Sequence, residues 1–395
     1  MNNENPWPAG CAELIFVHRQ NRPRGAKALN RVTQADNVSR FHHLDALRGL
    51  LMALGVVLHA ANIYTPQGRW LVADSQRGDF FGVLTAVIHS FRLPCFFMIS
   101  GLLSIIVLER KGVDHFLRSR TIRLAVPCLS AMVLLNSAQT WLLAWHGQRP
   151  FVDYLSEAGW LSHLWFLVDL LIYCYVLAML RPLLLRFPQP SIFAGTVVLM
   201  MPIVTQAFAV GMGRAVGYRL LFWGLLDAHR LATYALFFAF GAIYRPGSDE
   251  VRDRQLVVWS IVLLIIAIIA KVSTSLPLLT LYADASLSWA GALICLQTGK
   301  RFIDRPNHFL RRLADASYTI YLFHHVIVIG LGIALLGLPI TAWTKFLAIV
   351  LLTFILTFGI HRFVIAPFPL LGFLFNGRLR VGKQSFPSIT PSPIE

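Results

Sequence analysis

Charge is what this sequence has least of. Asp, Glu, Lys and Arg together make up 14% of its 395 residues, where a soluble domain averages about 25%. The hydrophobic set makes up 56%, and mean hydropathy is +0.62. That balance excludes an ordinary soluble globular domain and points to a polytopic membrane protein. Acids are scarcer than bases, 19 against 35, for a net charge of +16. In a soluble chain such an excess would suggest nucleic acid as a partner; in this one it reads as basic loops on the cytoplasmic face of a bilayer. The five cysteines (Cys11, Cys95, Cys128, Cys174, Cys295) are too scattered for a disulfide framework or a CxxC metal site, so they read as small buried apolar residues. There is no Gly-rich phosphate loop, heptad run or internal repeat of fixed period, which removes the nucleotide-loop, coiled-coil and solenoid classes.

What is present is a series of long apolar runs. A membrane span needs about 20 mostly apolar residues, and ten segments qualify: 45–64, 80–108, 124–145, 162–180, 191–211, 229–245, 255–272, 277–298, 317–338 and 343–365. The expected fold is therefore all-α, with about ten transmembrane helices. Lys and Arg concentrate in the leader, the even-numbered connections and the tail, which places both termini in the cytoplasm. The densest connection, 109–123, carries Arg110, Lys111, Arg118, Arg120 and Arg123. Three regions follow. Residues 1–43 read as a basic, uncleaved cytoplasmic arm without packed structure, 44–368 as the membrane domain, and 369–395 as a mobile Pro/Ser-rich cytoplasmic tail.

Ionisable side chains cost at least ~2.5 kcal/mol each at the centre of a span, so those that remain usually face a bundle interior or a wet cavity. Arg48 and His59 share a face of span 1, ~16 Å apart along the axis. Arg48 has two bland readings, snorkelling to the cytoplasmic interface and pairing with Asp45 at i−3; a structural hydrogen bond is the bland reading of His59. His89 and Arg92 lie at i and i+3 on span 2, ahead of Ser100 and Gly101. Arg92 is too deep to snorkel and calls for an acid or a polar ligand. Asp169, the one acid well inside a span, sits at about the depth of His59, so it can orient that histidine or pair with Arg92. On span 9, Ser317, Tyr321 and His324 form an inward polar stripe, which is also what packing glue between helices looks like. The adjacent His324 and His325 point ~100° apart, and no i, i+4 histidine pair accompanies them, so no metal site is expected.

Five short strings, in order, resemble a known family. His43-Leu44-Asp45-Ala46-Leu47-Arg48-Gly49-Leu50 with His59 looks like the first-span signature of the membrane acyltransferase-3 family. Phe96-Phe97-Met98-Ile99-Ser100-Gly101 and Arg120-Thr121-Ile122-Arg123-Leu124-Ala125-Val126-Pro127 resemble its second and third motifs. His163-Leu164-Trp165-Phe166-Leu167 and Ser317-Tyr318-Thr319-Ile320-Tyr321-Leu322-Phe323-His324 complete the set. The resemblance covers about residues 41–365, and Ile88-His89-Ser90-Phe91-Arg92 is most like the family's periplasmic glucan-modifying, succinyltransferase branch. It implies an O-acyltransferase of the bacterial inner membrane, moving a succinyl or acetyl group from cytoplasmic acyl-CoA, used as substrate with no bound cofactor, to a glycan hydroxyl. His59 is then the general base and Arg48 a donor-side contact; Asp169, which no motif of the family requires, is a candidate orienter of His59 on grounds of depth alone. Arg92, His89, Ser100, Tyr321 and His324 become substrate contacts, and Arg118, Arg120 and Arg123 a basic entrance for the donor's phosphates. The competing class is a secondary transporter for an anionic solute, which also uses intramembrane His, Arg and Asp.

Overall fold

The computed structural model describes residues 42–147, 159–184, 194–218, 220–222, 224–244, 250–273, 275–305 and 307–378. The leader arm up to residue 41 lies outside the described residues, as does the tail beyond 378.

Each of the ten expected segments coincides with a helix among the described residues. In chain order they are α1 (His42–Asn62), α2 (Asp79–Lys111), α3 (Val113–Ala131) continuing through a π-turn (Met132–Asn136) into α4 (Ser137–Trp145), α5 (Trp165–Leu184), α6 (Ala194–Val216), α7 (Ala228–Ile243), α8 (Glu250–Ser273), α9 (Pro277–Phe302), α10 (His308–Leu335) and α11 (Ala342–Gly359). A second π-turn, Ile360–Ile365, extends α11, and a short α12 (Pro369–Asn376) follows. Among the described residues nine helical stretches are long and apolar enough to cross a membrane. The exception is α7, whose 16 residues reach only ~24 Å at 1.5 Å per residue against a hydrocarbon core of ~30 Å. A two-stranded ribbon, Leu220–Leu221 against Leu226–Asp227, leads into it, and the Asp227 carboxylate caps its N-terminus by accepting from the Arg230 backbone N–H.

Helices in lipid gain little from apolar burial against one another, so close backbone approach matters more. At the crossing of α2 and α7 a Cβ on Gly101 would overlap the carbonyl oxygen of Phe238, and one on Gly241 that of Met98. The two glycines let the helices touch backbone to backbone. Elsewhere α1 and α10 share a buried core, with Val56, Ala60 and, just past the end of α1, Ile63 clustering with Leu313, Ala316, Ile320 and Ile329, closed by Phe346 and Ile349 of α11.

Two expectations are corrected. The basic stretch 109–123 is not a loop: α2 runs to Lys111 and α3 begins at Val113, interrupted only at Gly112. Arg and Lys are good helix formers, and their charge does not stop the helix beyond the apolar region. Nor is the tail without a packed element, because 369–376 reads Pro-Leu-Leu-Gly-Phe-Leu-Phe-Asn, an apolar run with proline at its first turn. That helix, α12, buries Phe375 and packs against α3 and α10. Cys95, Cys128, Cys174 and Cys295 are free thiols.

Candidate active site

A cavity of about 720 Å³ opens beside the C-terminal part of α1. Its walls come from α1, the α1–α2 connection, the first half of α2, α4, the turn before α5 with the start of α5, and the middle of α10, which brings His59, His89, Arg92, His163, Tyr321, His324 and His325 to one space.

Four imidazoles form its centre. The His59 ring lies 5.2 Å from His324 and 4.8 Å from His325, centroid to centroid, and His163 stacks on His325 at 4.6 Å and stands 5.3 Å from His324. The two neighbours on α10 do diverge, their rings 6.0 Å apart, but the cluster sits between them. His324 Nδ1 lies 2.7 Å from the Tyr321 carbonyl oxygen and 3.0 Å from that of Ile320. A carbonyl only accepts, so Nδ1 carries the hydrogen and a neutral ring keeps its lone pair on Nε2. That Nε2 is buried with no hydrogen-bond partner among the described residues. His325 Nδ1 is 2.6 Å from Gln139 Oε1, and Gln139 Nε2 donates to Ser162 Oγ at 3.3 Å, which gives His325 the same tautomer.

The turn bearing His163 is held from α3 and α4. The π-turn swings Asn136 inward, where its side-chain amide donates to the carbonyls of Trp160 (2.8 Å) and Leu161 (3.2 Å). Ser162 follows with φ of +45°, a region uncommon for non-glycine residues. The Tyr321 hydroxyl donates to the His163 carbonyl at 2.8 Å. Both His163 ring nitrogens are buried and unpartnered among the described residues. His59 is alike on one side only: Nδ1 is buried without a partner, which leaves Nε2 as the nitrogen open to the cavity.

Arg92 enters from α2 over Gly55, where a Cβ would strike its guanidinium. It forms no ion pair among the described residues, and its Nε is buried without a partner. The acid expected for it, Asp169, is engaged elsewhere. The Asp169 carboxylate, fully buried, accepts from Arg230 Nε at 3.0 Å and Nη2 at 3.4 Å, and that guanidinium lies 4.4 Å over the Trp165 ring. Asp169 is thus bonded neither to His59 nor to Arg92. Depth along the membrane normal allowed both expected pairings, and an arginine two helices on took the contact. Ser100, expected as a substrate contact, is buried beside the Gly101 crossing and does not line the cavity. Ser317 donates to its own helix at the Ala314 carbonyl, 2.7 Å away.

Arg48 stands at the other end of α1. It approaches Asp45 at 3.9 Å, the local i, i+3 pairing expected, with 40% of its side chain exposed. Its guanidinium lies 5.9 Å from the Phe96 ring, and Phe96 packs edge-on against Phe166, a cavity wall residue, at 4.8 Å. Two aromatic rings therefore separate Arg48 from the cavity. On α3, Arg118 and Arg123 are exposed while Arg120 is half-buried, its Nε unpartnered among the described residues and its guanidinium 5.5 Å from the Phe116 ring. The Tyr318 hydroxyl joins α10 to α3 at the Arg123 carbonyl, 2.9 Å away.

His163, His325 and Gln139 were not singled out by sequence as site residues. His163 lies inside the fourth family string, and His325 follows the fifth. Gln139 carried no signal beyond being a polar residue in a span. Among the described residues no three His, Cys, Asp or Glu side chains converge as metal ligands.

A histidine-lined cavity in a bundle of apolar helices, with an arginine free to meet an anion, suits transfer of an acyl group to a hydroxyl. Comparison with known proteins places the chain in that class: the acyltransferase-3 model, described as an acyltransferase domain, matches residues 41–362. The chain belongs to this family. Among individual proteins it is similar to Glucans biosynthesis protein C of Escherichia coli strain K12, 32% identical over 143 residues, or 34% of this chain and 37% of that protein. Glucans biosynthesis protein C of Salmonella typhimurium matches at the same identity and coverage. The matched part spans little more than a third of those relatives' length. No solved structure matches the chain.

Proposed function

We propose that the protein is an O-acyltransferase of the bacterial inner membrane that moves a succinyl or acetyl group from cytoplasmic acyl-CoA to a hydroxyl of a periplasmic glycan. The relatives' name, Glucans biosynthesis protein C, favours a glucan acceptor. One observation carries the reading: His59 and Arg92, each lacking a protein partner among the described residues, line one cavity.

In this reading the acceptor hydroxyl gives its proton to His59 Nε2 as its oxygen attacks the thioester carbonyl. An ester C–O bond forms, the thioester C–S bond breaks, and the proton ends on the departing thiol. Histidine suits this step because its ordinary titration range brackets neutral pH. Arg92 binds the free carboxylate of a dicarboxylic acyl group, with His89, Tyr321 and His324 contacting substrate around it. Arg48, Arg118, Arg120 and Arg123 receive the donor's phosphates at the opposite end. Family membership argues against the transporter alternative.

The test is expression of wild type and His59→Ala in a strain lacking native glycan acylation, followed by mass spectrometry of periplasmic glycans. Wild type is expected to add an acetyl or succinyl increment and His59→Ala to add none at equal protein level. Absence of any increment from wild type, or its survival in His59→Ala, overturns the reading.

A further inference from the structure

A general base must be held in orientation, and most catalytic histidines are held by a hydrogen bond from the nitrogen that does not do the chemistry. His324 and His325 have such bonds. His59 does not, since its Nδ1 is buried and unpartnered among the described residues. Apart from the two imidazoles of α10, what touches the ring is Trp70, the one stacked on its face, at 5.7 Å and 25°; the indole also meets His325 edge-on at 5.6 Å. Trp70 is not part of the cavity wall, although Gln67 and Leu71 on either side of it are. It backs the two imidazoles from behind.

The segment that carries Trp70, between α1 and α2, is fastened more firmly than a surface connection requires. The Asp74 N–H donates to the Ile63 carbonyl and the Gly78 N–H to that of Tyr64, both at 3.0 Å, closing the loop on itself. The Asp74 carboxylate, 1% exposed, accepts from Lys345 Nζ of α11 at 2.8 Å, and the same ammonium donates to the Leu336 carbonyl at 3.1 Å. Gln76 Nε2 donates to the Ile340 carbonyl at 3.1 Å. A buried ion pair is weak evidence for stability but a strong geometric constraint. This one fixes Val72, fully buried in the α1–α10 core, and with it Trp70 two residues earlier.

We infer that Trp70 is the positioning residue of His59, and that the buried Asp74–Lys345 pair is the clamp that holds it there. The inference rests on the reading of His59 as the base. An orientation error of about 1 Å at a reacting group costs up to ~10²-fold, so the stack is enough to govern turnover.

The experiment measures initial rates of acyl transfer to purified periplasmic glucan, in membrane vesicles, for Trp70→Phe, Trp70→Leu, Asp74→Asn and His59→Ala, each normalised to folded protein. Phenylalanine keeps a stacking ring and is expected to retain kcat within about threefold; leucine fills space without a face and is expected to lose kcat by at least ~10-fold with KM for both substrates within about twofold. Asp74→Asn is expected to lose kcat by ~3–10-fold and to leave KM unchanged. Combining Trp70→Leu with His59→Ala should cost nothing beyond His59→Ala alone. Equal kcat for the Leu and Phe variants, or a loss confined to KM, overturns the inference. Should the Leu variant not accumulate, unchanged kcat in Asp74→Asn overturns it as well. Failure of the base assignment shows separately, as full activity in His59→Ala.

Discussion

Near the C-terminal end of α1 imidazoles crowd into one cavity and two of them are fixed by hydrogen bonds, whereas near its N-terminal end the arginines are partly or wholly exposed. Around His59 the imidazoles lie ring to ring, two of them locked through Nδ1 to a carbonyl or an amide oxygen. Around Arg48 there are guanidiniums with, among the described residues, one carboxylate at 3.9 Å, and Arg118 and Arg123 are exposed. The first arrangement is preorganised, so that small displacements are expensive; the second is an adaptable electrostatic surface where any one charge contributes modestly. The same helix thus carries a rigid end and a soft end, which the proposed reading assigns to chemistry and to donor binding.

The largest separation between them comes from His59→Ala. General base catalysis is worth 10²–10⁴, so kcat should fall by about 10³ while KM for the acyl donor stays within about threefold, as read from radiolabelled acyl transfer in vesicles. A comparable change in donor KM would mean that the two ends are not separate.

Arg92→Ala comes next, at about 10²-fold in kcat/KM for a succinyl donor. An acetyl donor has no free carboxylate and should lose less than about fivefold. Parallel assays with the two donors decide it, and equal losses would remove carboxylate recognition as the role of Arg92. Lysine should rescue only in part, because a single ammonium does not reproduce the two-point fork of the guanidinium.

These residues were readable from the chain to very different degrees. Composition and run length were enough for the ten helical segments, because lipid demands that backbone polar groups be satisfied within each span. They missed the shortness of α7 and the apolar α12. His59, Arg92, Tyr321 and His324 were legible because an ionisable or polar group inside a span needs a reason. Gln139 was not legible, since its importance comes from a π-turn and from Ser162 in a strained turn, neither of which leaves a pattern in the sequence. Asp169 was found but given the wrong partner: its depth could be counted along a helix, but its azimuth could not, and Arg230 stood on a helix whose face no periodicity revealed.

Gln139 gives a smaller test of preorganisation. Gln139→Leu removes the acceptor of His325 Nδ1 and the donor to Ser162 Oγ, and kcat should fall about 10-fold with little change in protein level. Gln139→Glu keeps an acceptor for His325 and should recover most of that loss. If both variants behave alike, the tautomer of His325 does not matter to turnover.

The smallest effect belongs to the open end. Replacing Arg120 and Arg123 together by glutamine removes two positive charges from α3 without disturbing an ion pair, since neither forms one among the described residues, and the Arg123 carbonyl that accepts from Tyr318 belongs to the backbone. Exposed charge contacts are worth about 0.2–1 kcal/mol each, so loss of two should raise donor KM about 2–30-fold, centred near 8-fold, with kcat unchanged, in inverted vesicles supplied with external acyl-CoA. At ~0.5 M salt the Debye length shrinks to about 4 Å, wild type should lose the same advantage, and the two proteins should converge. The double variant therefore tests mechanism as well as magnitude. A salt-independent rise in KM would mean a desolvated, geometrically fixed phosphate site, and the basic end would then be built on the same principle as the cavity. A fall in kcat would place these arginines in contact with the chemistry across Phe96 and Phe166, and the two rings would have to be a passage instead of a partition.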